Sequence, residues 1–211
     1  MTDLFSQNRP TKEEIYPDVF VLANFINTKP LLDKIKSLTK IAPFNKMMTP
    51  NGHNTNIPFT NCGEFGWTSD LSGYRYSRIN PITKQSWPLM PKTFFTLAQD
   101  AAKNAGFENF TPDACLINQY SIGSKLGAHQ DKNEKDFTQP IVSVSIGLPA
   151  VFQIFGNTRS GVEVSYHLQD GDVMVWGKSA RLIYHGVKTI SVDPLNSHST
   201  HRFNITFRKS N

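Results

Sequence analysis

The chain has 211 residues, of which 38% are hydrophobic and 18% charged, enough apolar content for one packed domain and too much for wholesale disorder. It carries 22 Lys and Arg against 17 Asp and Glu, and this formal charge of +5 suits a polyanionic partner without demanding one. Two cysteines, Cys62 and Cys115, are too few for a disulfide framework or a thiolate zinc site and read as reduced structural thiols.

A first helix is predicted from Thr28-Lys29-Pro30, because proline in a first turn costs no hydrogen bond and Leu31, Ile35 and Leu38 then form one stripe. Residues 42–90 follow, rich in Asn, Gly, Pro and Thr. They also carry Phe44, Phe59, Phe65, Trp67, Tyr74, Tyr76 and Trp87, with Lys46, Arg75 and Arg78 among them. An irregular stretch of this length is functional or disordered, and its aromatic content argues against disorder, so an ordered lid or binding surface is expected. A second helix starts near Pro91, repeats Phe94, Leu97, Ala98 and Ala101, and stops at Gly106.

Beyond Gly106, short strands are predicted over 114–120, 141–148, 151–155, 162–168, 172–176, 182–187 and 203–207, separated by turn signals such as Asp170-Gly171 and Asn157-Thr158. Many short strands without intervening helices indicate a sandwich or barrel and not a βαβ sheet. A two-sheet jelly roll matches residues 107–211. The expected fold class is mainly β with flanking helices (α+β), in a single domain over 1–211.

The peptide Gly127-Ala128-His129-Gln130-Asp131 contains an H-x-D pair. Residues two apart on an extended chain point to the same side, so one imidazole and one carboxylate can reach a common ion. A third ligand must come from another strand. His185 in Leu182-Ile183-Tyr184-His185-Gly186 is well placed, although His53, His167, His198 and His201 are also present. Two His and one carboxylate form the facial triad of non-haem iron(II) oxygenases. On these residues alone, a surface His129–Asp131 pair with a half-buried His185 reads as well.

The last strand, His201-Arg202-Phe203-Asn204-Ile205-Thr206-Phe207-Arg208, has Arg202, Asn204, Thr206 and Arg208 on one face and Phe203, Ile205 and Phe207 on the other. The apolar face can pack on the helices. The polar face then needs partners, and two guanidiniums there can hold the two carboxylates of a dicarboxylic acid. In Leu116-Ile117-Asn118-Gln119-Tyr120, Asn118 and Tyr120 share a face in the same way. A half-exposed edge strand with solvated polar groups is the alternative for either strand.

Taken together, these segments resemble the AlkB family of iron(II)/2-oxoglutarate-dependent alkylation-repair dioxygenases. The likeness runs through nearly the whole chain. It is carried by Thr60-Asn61-Cys62-Gly63, Gly66-Trp67-Thr68, Pro112-Asp113-Ala114-Cys115-Leu116-Ile117-Asn118, His129-Gln130-Asp131-Lys132, and residues 141–149 and 204–208. The resemblance implies a double-stranded β-helix (jelly-roll) core over 107–211 with an N-terminal nucleotide-recognition lid over 42–90. It implies iron(II) on His129, Asp131 and His185 as the catalytic centre. It also implies 2-oxoglutarate on Asn118, Gln119, Tyr120, Arg202, Asn204 and Arg208, with dioxygen as the third reactant. Arg202 and Tyr120 would take the distal carboxylate. Trp67, Tyr74, Arg75, Tyr76, Asn133 and Arg159 fall where the family grips the damaged base and its backbone.

The implied reaction is oxidative demethylation of N-alkylated bases, such as 1-methyladenine and 3-methylcytosine, in single-stranded or flipped-base DNA and also in RNA. Its products are the restored base, formaldehyde, succinate and carbon dioxide. One departure concerns Asn133, since the family often has an acidic residue directly after His-Gln-Asp-Lys. A carboxylate there only accepts hydrogen bonds, whereas an amide also donates, which leaves the preference among methylated bases open. The loop at 160–164 is short, which bears on Arg159.

Two other functions compete: a related oxygenase that hydroxylates a protein side chain, and a non-enzymatic jelly-roll metal binder. No apolar run serves as a secretory segment or spans a bilayer, so a cytoplasmic monomer without membrane contact is expected.

Overall fold

The computed structural model describes residues 9–192 and 200–211. Among these residues, thirteen strands and two α-helices lie in this order: β1 (Lys12–Tyr16), β2 (Val19–Leu22), α1 (Lys29–Ile41), β3 (Phe59–Gly63), β4 (Gly66–Asp70), β5 (Gly73–Ser77), α2 (Lys92–Asn104), β6 (Ala114–Ser121), β7 (Leu126–His129), β8 (Ile141–Gly147), β9 (Ala150–Gly156), β10 (Val164–Leu168), β11 (Val173–Trp176), β12 (Tyr184–Val187) and β13 (His201–Arg208).

Both predicted helices form, for the expected reasons. Helix α1 has Pro30 in its first turn and buries Leu31, Ile35 and Leu38. Helix α2 buries Phe94, Leu97, Ala98, Ala101 and Ala102. It ends in a Schellman motif: Gly106 takes a φ of +91°, its N–H bonds Lys103 O at 3.0 Å, and Phe107 N–H bonds Ala102 O at 2.9 Å. A side chain in that left-handed conformation would be strained, which explains the glycine.

The strands form a seven-stranded antiparallel sheet in the order β1-β2-β11-β8-β13-β6-β3, a four-stranded antiparallel sheet in the order β10-β9-β12-β7, and a separate β4–β5 hairpin. This is the double-sheeted jelly roll expected from the strand pattern. Leu22, Val142, Val144, Ile146, Val173, Val175, Ile205 and Phe207 of the large sheet pack with α1 and α2 in one apolar cluster. A second cluster joins Val19, Val21, Ile141, Met174 and Trp176 of the large sheet to Phe152, Ile154 and Leu168 of the small one.

Strand β13 lies inside the large sheet between β8 and β6, and its alternation divides these two regions. Ile205 and Phe207 face the helices, while Arg202, Asn204, Thr206 and Arg208 face the interior between the sheets. No helix among the described residues is long and apolar enough to cross a membrane.

The structure adds strands that the sequence pattern did not reveal. β1 and β2 extend the large sheet beyond β11, and β3 extends it beyond β6. The stretch read as irregular therefore contains one strand of the main sheet and a complete hairpin.

Candidate metal centre

Strands β7 and β12 are antiparallel neighbours, and His185 is the register partner of His129. Direct partners put their side chains on one face, so the pairing brings together two imidazoles far apart in sequence. Close approach is needed here. A Cβ at Gly186 would lie 2.7 Å from Leu126 O, so the residue after His185 has no room for a side chain. Asp131, two residues past the end of β7, completes the group. His129 Nε2 lies 3.9 Å from Asp131 Oδ1, and His185 Nε2 lies 3.8 Å from Asp131 Oδ2. One donor atom from each of the three falls within 4.8 Å of the others.

The groups around the triad aim it. His129 Nδ1 faces Gly127 O at 3.0 Å and His185 Nδ1 faces Ile183 O at 3.1 Å. Donation of Nδ1–H to these carbonyls leaves both Nε2 atoms as lone-pair donors. The ring of His185 is stacked on Phe152 at 5.5 Å and meets the edge of Trp176 at 5.2 Å. Side-chain exposure is 33% for His129, 11% for Asp131 and 6% for His185, so the centre opens on the His129 side.

The electrostatics suit a cation. Burial first, and then the neighbouring His129, push His185 down to about 3, which keeps its imidazole neutral and able to ligate. Burial alone would raise Asp131, but Arg208 and then the two imidazoles reverse this and hold it well below the usual carboxylate range. Two imidazole nitrogens and one carboxylate are the donor set of a non-haem iron(II) site that leaves positions open, and these residues fit that ion.

The anion side is built on β13 and β6, where Arg202 pairs with Tyr120 and Asn204 with Asn118. The Arg202 guanidinium donates to Ser145 Oγ at 2.9 Å and Leu148 O at 3.3 Å, while its buried Nε has no partner among the described residues. No carboxylate stands within ion-pair distance of it among the described residues. Burial pushes Arg202 down to about 10 and Tyr120 up to about 12. A buried guanidinium with a free N–H and no counter-ion fits a ligand carboxylate.

The other residues on this side are more occupied. Asn204 donates to Ser143 Oγ and Val144 O and accepts from Thr206. Arg208 donates to Asp131 Oδ2 from Nη2 at 2.8 Å and Nε at 3.2 Å. Gln119 pairs with Phe203, so alternation places it on the opposite face, toward the helices and away from Asn118 and Tyr120.

The hairpin supplies the aromatic side. Trp67 and Tyr76 are register partners and Tyr74 lies diagonally across, so all three share one face, with Arg75 on the other. Trp67 stacks on Tyr74 at 5.4 Å and meets Phe59 edge-on at 5.3 Å. Its indole N–H donates to Asn133 Oδ1 at 3.2 Å. Tyr76 Oη donates to Glu134 Oε1 at 2.5 Å, while Arg75 is paired with Asp70 within the hairpin. Arg159 lies on the turn after β9, with its guanidinium 5.6 Å over the Tyr184 ring beside His185.

Sequence reasoning missed Arg181, Phe152 and Trp176. Arg181 follows a 3-10 turn (Lys178–Ala180) and is buried against Glu134, with no periodic signal to mark it. Phe152 and Trp176 read as ordinary core, and only the packing of the two sheets shows them against a ligand ring.

Residues 18–208 match the 2OG-Fe(II) oxygenase superfamily. The chain is 42% identical to the alpha-ketoglutarate-dependent dioxygenase AlkB of Salmonella typhimurium, over all of this chain and 98% of that protein. It is 43% identical to AlkB of Escherichia coli, again over all of this chain and 98% of that one. Among solved structures, OsALKBH1 superposes with a TM-score of 0.78 at 25% identity, covering 94% of this chain and 99% of that one. The jelly roll, the converging His-Asp-His group and these likenesses agree that the chain belongs to the AlkB family of the 2OG-Fe(II) oxygenases.

Proposed function

We propose that this protein oxidatively demethylates N-alkylated nucleic-acid bases, using iron(II), 2-oxoglutarate and dioxygen. One observation carries the reading: a His-Asp-His donor set lies in the same jelly-roll interior as a buried guanidinium that has no counter-ion among the described residues. A structural metal site would need no such cation. An oxygenase that consumes a dicarboxylic acid does.

In this reading His129, Asp131 and His185 hold iron(II). Arg202 and Tyr120 receive the distal carboxylate of 2-oxoglutarate, and Asn118 and Arg208 line the end nearer the metal. When bound there with its co-substrates, the metal supplies an oxidation that hydroxylates the N-methyl carbon, after which formaldehyde leaves. The protein holds the donors in register, presents neutral imidazoles and keeps Asp131 ionised beside Arg208.

The β4–β5 hairpin belongs to a nucleotide-recognition lid over residues 42–90, set against the catalytic core over 107–211. Trp67 and the open face of His129 sandwich the target base, with Tyr74, Arg75, Tyr76 and Arg159 toward the backbone. The alkylated atom lies on the Watson–Crick edge, so the base must be single-stranded or flipped from the duplex. DNA is the first substrate and RNA the second, and the protein acts as a cytoplasmic monomer. The net charge of +5 favours such a polyanion.

The test is mass spectrometry of DNA and RNA oligonucleotides bearing single N-methylated bases, incubated with iron(II), ascorbate and 2-oxoglutarate. Methyl loss with matching formaldehyde and succinate is expected. Intact oligonucleotides, with succinate formed only when peptides are supplied, would contradict the proposal.

A further inference from the structure

We infer that Glu134 is a positioning residue for the metal carboxylate, holding the two arginines that fix Asp131 and tying them to the hairpin. The inference rests on Asp131 being a metal ligand. Glu134 lies in the loop between β7 and β8, and its side chain is only 1% exposed. Its Oε2 accepts from Arg181 Nη2 at 3.1 Å, and its Oε1 stands 3.5 Å from Arg208 Nε while also accepting the Tyr76 hydroxyl.

Both arginines reach Asp131 as well. Arg208 binds its side-chain Oδ2, and Arg181 Nη1 donates to its main-chain carbonyl at 2.8 Å. A further bond from Arg181 Nε to Gln139 O at 3.0 Å anchors that guanidinium. The side chain and the backbone of Asp131 are therefore each fixed by a guanidinium that shares its charge with Glu134.

The four charged groups balance, two cationic and two anionic. Neutralising Glu134 would leave an excess positive charge beside the place a divalent cation must occupy. It would also leave a buried guanidinium short of an anion. Both effects weaken metal binding, although Glu134 is not one of the three converging donors. Through Tyr76, the same carboxylate connects the metal ligand to β5.

The experiment titrates cobalt(II), whose visible absorption reports ligand geometry, into the metal-free full-length wild type, Glu134→Gln and Tyr76→Phe, well below their melting temperatures. Glu134→Gln is expected to bind cobalt about 10- to 100-fold more weakly, with an altered absorption band. Tyr76→Phe leaves the arginines on Glu134 and removes one hydrogen bond, so a loss of about 2- to 10-fold is expected. An ion pair serving stability alone would lower the melting temperature and leave affinity and band unchanged, and that result in Glu134→Gln would overturn the inference. Wild-type affinity in Tyr76→Phe would overturn the link to the hairpin and, should Glu134→Gln not fold, the inference with it. Failure of the wild type to bind cobalt would instead remove the metal reading.

Discussion

His129 and His185 face each other directly across the β7–β12 pair, with ring centroids 4.4 Å apart. The metal centre is thus a product of strand register. A slip of one residue would turn one imidazole to the other face of the sheet and dissolve the site. Gly186, which lets the two strands approach, and the Phe152–Trp176 wall around His185 serve the same alignment.

Arg202→Met is expected to have effects of opposite sign. The metal-free protein should melt at the same or a higher temperature, because a buried charge with no counter-ion among the described residues gives way to an apolar chain of similar size. The apparent affinity for 2-oxoglutarate should fall roughly 10- to 100-fold, the equivalent of about 1.5–3 kcal/mol for a charged hydrogen bond. Thermal melts with and without 2-oxoglutarate measure both. A variant that keeps the 2-oxoglutarate-induced shift would place the acid elsewhere.

Trp67→Ala should raise the KM for methylated oligonucleotide about 5- to 150-fold, corresponding to a stacking loss of about 1–3 kcal/mol. Succinate formation without nucleic acid should change little. Equal loss of both would mark Trp67 as a packing residue, through its edge-on contact with Phe59 and its place against the Ala42, Met47, Phe59 and Trp87 cluster.

The strand pattern made β13 readable because both of its faces are committed, one to the helices and one to the interior. The same alternation would have set Gln119 apart from Asn118 and Tyr120. Strands β3, β4 and β5 escaped for physical reasons. All five residues of β3 are buried, so it shows no alternation, and the hairpin is short and mostly polar. The choice of His185 as third ligand needed either the family likeness or the β7–β12 register, since chain order alone did not decide it. The partnership of Glu134 with Arg181 has no local signature, because it links a loop to a turn through buried charges.

Asn133 gives an expectation for lesion choice. Its carbonyl oxygen accepts from the Trp67 indole, which leaves its NH2 group as a donor that can meet a base. Asn133→Asp replaces that donor with an acceptor. The ratio of kcat/KM for 1-methyladenine, which has an exocyclic amine, to that for 1-methylguanine, which has a carbonyl, should rise. Competition between the two lesions in otherwise identical oligonucleotides measures it, and an unchanged ratio would separate Asn133 from base selection.

The acid stability of the metal-free protein should carry the mark of His185. Its folded value of about 3 lies below its ordinary 6.5, so the unfolded chain takes the proton first. The contribution is full above about pH 6.5 and declines as pH falls toward 3, at up to about 1.4 kcal/mol per pH unit. Asp131, held low, adds its loss only below the ordinary carboxylate value of 3.8. Urea melts between pH 7 and 4 should therefore be flatter for His185→Gln than for the wild type. Parallel slopes would contradict the buried neutral imidazole.

The most direct measurement pairs metal binding with chemistry in Asp131→Ala. Wild-type protein should bind one cobalt(II) per chain and, with iron(II) and 2-oxoglutarate, release one formaldehyde per methyl group removed from an oligonucleotide. The folded variant should bind cobalt at least about 10-fold more weakly and release no formaldehyde. Full cobalt affinity and full formaldehyde release from Asp131→Ala would show that the oxidation occurs somewhere other than the His129–Asp131–His185 centre.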